Sequence, residues 1–232
     1  MTSGPTGGAR IAIIEDHVLF AESLEIALSI RGHDVRRIDL SHDTRTVGTL
    51  LPAILRADPG IVLLDLDLGI HGDGAQLIEP LARAGIAVVV LTGNTDRVQW
   101  GGCVNSGARR VLGKSSHLHE ILWTLRRINN GLAVTSIDER AELLQLWHGH
   151  RAVVHELRHR LEHLTHRECE VLGHLMHGRQ VREIAAVSVV AEATVRTQVK
   201  SILAKLEVGS QLAAVGLAHR AEWRPPRLRT AA

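Results

Sequence analysis

Hydrophobic runs in the first half of the chain end on side chains able to hold a cation or a phosphoryl group. The run 11–14 is followed by Glu15 and Asp16, the run 61–64 by Asp65 with Asp67 just beyond, the run 86–91 by Thr92, and the run 108–112 by Lys114. Carboxylates brought together from two such segments repel, and a hard divalent cation such as Mg²⁺ relieves the repulsion by taking oxygen ligands. A hydroxyl and an ammonium beside them would hydrogen-bond and neutralise the oxygens of an incoming phosphoryl group. Any one of these residues alone reads as solvated surface. Together, at the ends of successive runs, they describe a site.

What must position them is an alternation of strand and helix. The runs 11–14, 35–38, 61–64, 86–91 and 108–112 are short and mostly apolar, bounded by Gly, Pro or Asp. Strands buried on both faces of a parallel sheet look like this. Helix-period segments fill the gaps: 18–31, with Leu19, Phe20, Leu24, Ala27, Leu28 and Ile30 on one broad face, then 44–57, 75–84, 95–106 and 116–130. Five strands alternating with five helices predict an open, doubly wound (βα)5 domain of the α/β class, flavodoxin-like. In such sheets the site lies beyond the carboxyl ends of the strands, where the polar residues fall.

The segments EDH at 15–17, IVLLD at 61–65, VVVLT at 88–92 and GARRVLGK at 107–114 resemble the receiver domains of two-component response regulators over residues 10–130. The resemblance implies that Asp65 accepts a phosphoryl group from a sensor histidine kinase. Glu15, Asp16 and Asp65 would hold Mg²⁺ with the main-chain carbonyl of Asp67, while Thr92 and Lys114 contact the phosphoryl group. Val111 stands where the family usually has an aromatic whose rotation reports the state of that site, Gly69 where Pro is common, and Val18 and Ser115 where prolines or acids are frequent. Without the ring at Val111, output is expected to run through Thr92 and the fourth helix.

The back half predicts an all-α domain of four short helices over residues 165–222. Thr165 with Glu168 three residues on has the spacing of a capping box. Val195, Val199, Ile202, Leu203 and Leu206 set one apolar stripe on the third helix. The fourth carries Leu212, Val215 and Leu217. Two short helices joined by a tight turn, the second bearing cations off its apolar stripe, describe a helix-turn-helix. This stretch resembles the LuxR-type domain of NarL/FixJ regulators, on Leu164-Thr165-x-Arg167-Glu168, EIA at 183–185, EATVRT at 192–197 and ILxKL at 202–206. By that resemblance Arg196, Thr197 and Lys200 face the major groove, and Thr194, Arg182 and Lys205 lie nearer phosphates. Gln198 replaces a usual His. The implied partners are double-stranded DNA, the kinase, a second copy of the chain and RNA polymerase.

Charge agrees with this division. Residues 1–130 carry 13 Lys and Arg against 14 Asp and Glu, a net of −1, whereas residues 165–232 carry 10 against 6, a net of +4. No run reaches the roughly 18–20 apolar residues of a membrane span. The Gly- and Thr-rich start reads as a floppy tail rather than a signal peptide, so a reduced, cytoplasmic compartment is expected for Cys103 and Cys169. The connector 131–164 is a helix with a heptad seam of Leu143, Trp147, His150, Val154, Leu157, Leu161 and Leu164. The seam either zips two chains together, the favoured reading, or packs on a domain of its own chain. His155, His159 and His163 at i, i+4, i+8 could chelate Zn²⁺, although a solvated histidine face is the commoner outcome. Two further readings are open: a phosphorylation-independent receiver serving as dimerisation or ligand-sensing scaffold, and a haloacid-dehalogenase-like phosphatase using Asp65 and Asp67. The latter normally has its aspartate pair on the first strand and Thr where this chain has Gly69.

Overall fold

The structure, a computed structural model, describes residues 9–38, 40 and 47–225. The expected tail over 1–8 and the start of the second helix at 44–46 lie outside them. The chain forms two units, residues 1–147 and 148–232.

In the first unit, strands β1 (Ile11–Ile14), β2 (Val35–Arg37), β3 (Ile61–Asp65), β4 (Ala87–Thr92) and β5 (Arg110–Gly113) form one parallel sheet in the order β2-β1-β3-β4-β5. Side chains alternate across a strand, and here both faces are covered. Ile11, Ile13, Ile61, Leu63, Val89 and Leu91 pack under α1 (Val18–Ser29) and α5 (Leu118–Asn129). Ile14, Val62, Leu64, Val88 and Val90 join the core formed with α2 (Val47–Ala57), α3 (Ile78–Arg83) and α4 (Arg97–Asn105). Two-sided burial is why β1, β3 and β4 are apolar almost throughout, whereas β2 at the sheet edge exposes Arg36 and Arg37. The register then lines up the polar termini: Ile14 pairs with Leu64, Asp65 with Leu91, and Thr92 with Gly113.

Two helical expectations in this unit are corrected. The inner face of α1 is Ala21, Leu24 and Leu28, while Leu19 and Ile30 are 81% and 79% exposed. Apolar residues surround much of this helix, so periodicity alone assigned the wrong side. The segment 75–84 is not one helix but a 3-10 turn at Gly74–Leu77 leading into α3, with Asp73 capping the turn through Ala75 N–H.

The second unit packs α7 (His166–Met176), α8 (Val181–Ser188), α9 (Glu192–Lys205) and α10 (Gln211–Arg220) around Val171, Leu172, Ile184, Val195, Ile202 and Leu217. On α10 the buried face is Ala214, Leu217 and Ala218, and Leu212 is exposed. α8 ends on Val189 in the left-handed region, φ 53° and ψ 49°, with its side chain open to solvent. A β-branched residue there costs about 1–2 kcal/mol. Val189→Asn, which tolerates that conformation, is expected to stabilise the second unit by about 1 kcal/mol. A urea midpoint that falls instead would show that the valine makes a needed contact.

The connector is the 26-residue helix α6 (Ile137–Glu162). The seam assigned to dimerisation is consumed within the chain. Leu143 belongs to the core of the first unit, with Trp147 against Gly101 and Gly102 of α4. Leu157, Leu161 and Leu164 belong to the core of the second unit, and Val154 is buried as well. Apolar side chains already covered in this way offer no free surface for zipping to another copy.

Candidate functional site

The strand ends converge on a cleft of about 750 Å³ lined by Asp65, Asp67, Thr92, Lys114, His17 and Phe20, among others. Its centre is Lys114, whose Nζ donates to Asp65 Oδ2 and to Glu15 Oε1, both at 2.7 Å. Both carboxylates are almost fully enclosed. Burial pushes the Glu15 carboxyl up, against the hydrogen bonds from Lys114 and the His17 N–H. Burial alone would lower the Lys114 ammonium, but the bonds to Asp65 and Glu15 outweigh it and hold it above its ordinary value. One cation is therefore shared by two buried acids, with the half-buried Asp16 beside them.

Asp16 Oδ1 is buried and faces His17 Nδ1 at 2.7 Å as an ion pair, without hydrogen-bond geometry. Donor atoms of Glu15, Asp16, Asp65 and His17 lie within 4.8 Å of one another. Three carboxylates gathered this closely offer the hard oxygen donors that fit a divalent cation such as Mg²⁺. The Asp67 side chain is directed elsewhere: it accepts from Gly69 N–H at 3.1 Å, while its own N–H donates to Asp65 Oδ1 at 3.2 Å. Thr92 is buried, and its hydroxyl accepts from Asn94 N–H at 3.1 Å.

Two glycines allow this packing. Gly69 has φ +56°, a value closed to proline, and a Cβ there would lie 3.0 Å from Asp16 Oδ2. A Cβ on Gly74 would lie 2.1 Å from the Asp65 carbonyl oxygen, so the chain can pass over the end of β3 only with glycine at that point. Sequence reasoning gave neither role, nor one to Phe20, whose ring centre is 5.3 Å from Lys114 Nζ. Its being the one phenylalanine in the chain, one turn beyond the acidic pair, was the available signal.

In the second unit, Arg182 on α8 and Thr194, Arg196, Thr197 and Lys200 on α9 are all exposed. Arg196 pairs with Glu192 at 2.8 Å, and the Thr197 hydroxyl donates to the Ala193 carbonyl. Lys205 departs from its expected place near phosphates: its Nζ donates to Glu168 Oε2 at 2.7 Å. Glu168 also accepts from Ser201 Oγ, Thr165 Oγ1 and Thr165 N–H. Burial would raise this carboxyl, yet the bonds from Lys205, Ser201 and Thr165 bring it down to about 2. Lys205 is thus tied into the domain, joining α9 to the capping box of α7. Gln198 Oε1 is buried without a partner.

His174 on α7 is buried, with Nδ1 3.0 Å from Arg179 Nη1. Burial and the neighbouring Arg179 lower its pKa, outweighing Glu170. The folded state therefore resists a proton that the unfolded chain accepts near pH 6.5. Stability of the second unit is expected to be level above that pH and to fall as the pH drops below it. Amide exchange of α7 across a pH series, corrected for intrinsic rates, measures this. Equal slopes for wild type and His174→Gln would remove His174 as the cause.

Residues 11–126 match the family model for the response regulator receiver domain, and residues 162–218 match the model for bacterial regulatory proteins of the luxR family. The chain is a LuxR-type response regulator. Among relatives of this response regulator is the nitrate/nitrite response regulator protein homolog of Haemophilus influenzae, 25% identical over 211 residues, covering 90% of this chain and 95% of the relative. The transcriptional regulatory protein LiaR of Bacillus subtilis is 28% identical over 216 residues, covering 91% and 97%. A solved structure of the response regulator RcsB in complex with DNA aligns with a TM-score of 0.50 at 20% identity, covering 92% of this chain and 99% of that one. At that identity the likeness concerns the fold. Among the described residues, no helix of this regulator is long and apolar enough to cross a membrane.

Proposed function

We propose that this response regulator is switched by phosphorylation of Asp65 by a sensor histidine kinase and controls transcription by binding double-stranded DNA as a dimer. The observation that carries the reading is Lys114 held between the buried carboxylates of Asp65 and Glu15, with Asp16 in the same cluster. Glu15, Asp16, Asp65 and the Asp67 main-chain carbonyl would hold Mg²⁺, which when bound supplies positive charge opposite the transferring phosphoryl group. An Asp65 oxygen attacks phosphorus; the P–O bond forms as the P–N bond to the kinase histidine breaks, and the imidazole leaves. Lys114 keeps one ammonium against the new anion, and the Thr92 hydroxyl donates to a phosphoryl oxygen. Phosphorylation then shifts a standing equilibrium between two conformations.

On the DNA side, Arg196, Thr197 and Lys200 would read base edges in the major groove, with Arg182 and Thr194 at phosphates. Lys205 is withdrawn from that set because Glu168 holds it. Two copies would occupy half-sites about one helical turn apart.

The test is incubation of the full chain with acetyl phosphate. With Mg²⁺, one phosphoryl mass increment is expected on the peptide carrying Asp65, together with a rise in affinity for duplex DNA; with excess EDTA, neither. Absence of the increment in Mg²⁺ would overturn the switch and favour a phosphorylation-independent scaffold.

A further inference from the structure

We propose that α4 and the first turns of α6 form the output joint of the receiver, with Gly101 and Gly102 as the notch that holds α6. The proposal rests on the reading of Asp65 as phosphoryl acceptor and adds the route by which that event leaves the site.

The notch is a backbone-to-backbone contact. A Cβ on Gly101 would stand 2.2 Å from the Leu143 carbonyl oxygen and 3.0 Å from Trp147 Cβ. A Cβ on Gly102 would meet the Trp147 ring at 3.1–3.3 Å. Glycine inside a helix is unfavourable against alanine, and here two stand together in a nine-residue helix. Close approach of α6 is what they permit. Polar contacts flank the notch: Arg97 pairs with Glu142 at 3.1 Å, and Arg110 Nη1 reaches Glu139 at 3.1 Å and the Val134 carbonyl at 2.7 Å.

The other end of α4 is tied to the phosphoryl site. Asn94 N–H donates to the Thr92 hydroxyl, and Trp100 Nε1 donates to the Asn94 carbonyl at 2.8 Å. Asp96 N–H donates to Asn94 Oδ1, and Asp96 caps α4 through Val98 N–H. An unbroken run of hydrogen bonds thus leads from Thr92 to Trp100, the residue before the notch. Val111 is buried in the core and carries no ring; Trp100 supplies the aromatic lever on α4 instead. When Thr92 turns its hydroxyl to a phosphoryl oxygen, Asn94 and Trp100 are drawn with it and α4 moves. A contact in which the Leu143 carbonyl and the Trp147 ring rest directly on glycine backbone does not deform smoothly, so it loosens as a unit.

The experiment loads the full chain with beryllofluoride and Mg²⁺, follows its binding by fluorine NMR, and measures amide hydrogen exchange across 137–147. In wild type, binding is expected to raise exchange there about fivefold or more, the lower range of allosteric coupling. Trp100→Phe, which lacks the indole N–H, should bind beryllofluoride as wild type does and lose that response. Gly102→Ala should show raised exchange in 137–147 without beryllofluoride. Bound beryllofluoride with unchanged exchange, or a Trp100→Phe response equal to wild type, overturns the joint while leaving Asp65 as acceptor. If beryllofluoride does not bind at all, the reading of Asp65 fails and the phosphoryl-driven joint with it. Gly102→Ala then still decides the notch, which unchanged exchange would overturn.

Discussion

Asp65→Asn is expected to keep the receiver folded while reducing phosphoryl uptake from acetyl phosphate to nothing. The side chain closes β3 within the paired register and is fully enclosed, so an isosteric amide fills the same space. Lys114 retains Glu15 as partner, and one buried negative charge beside Glu15 is gone. Removing a like charge from a crowded acidic site offsets the loss of one ion pair, so the thermal midpoint is expected to stay level or rise. Loss of chemistry without loss of fold separates an acceptor from a structural acid. The measurement is intact mass after acetyl phosphate and Mg²⁺, with a thermal melt of the same sample. A full increment persisting in the variant would move the acceptor to another residue.

Glu168→Ala is expected to destabilise the second unit strongly. It removes the acceptor for Lys205, Ser201 and Thr165 at once. Deleting one partner of a fully buried ion pair costs about 3–5 kcal/mol. Lys205 is a third exposed, so the loss falls below that, and losing a helix cap adds roughly 1 kcal/mol. Against a typical domain stability of about 5–15 kcal/mol, much of the second unit's stability goes, and DNA binding with it. The pH dependence carries the same signature. The folded carboxyl is held at about 2, below its ordinary 4.5, so its contribution is complete above the ordinary value. It is lost as the pH falls from there towards 2. Glu168→Gln keeps hydrogen-bond acceptors without the charge and should fall between. Urea titration with amide exchange on α9 reads all three proteins; a Glu168→Ala midpoint indistinguishable from wild type would show the network to be decorative.

Strand runs and strand-end chemistry were legible in the residues because both are local. A short apolar run and a polar residue at its end do not depend on distant partners. Elements β1 and β3 appeared where the runs placed them, and Glu15, Asp65, Thr92 and Lys114 came together as their positions implied. Residues whose meaning depends on a remote partner were misread. Lys205 lies off the apolar stripe of α9, as a DNA-facing cation should, yet Glu168 on another helix claims it. Leu19 and Ile30 were assigned inward because apolar periodicity does not say which side of a mostly apolar helix is covered. Leu143 and Leu157 keep a heptad spacing that a coiled coil would also require.

The sequence by itself determined the two kinds of domain, the sheet-edge location of the acidic site and the residue types able to work there. These follow from short-range periodicity and from charges whose crowding any parallel sheet would enforce. Tertiary structure alone decided that Gly74 clears the Asp65 carbonyl, that Gly101 admits α6, and that Lys205 is bound inward. Each of those depends on a close approach between chain segments far apart in sequence, and periodicity carries no record of such distances.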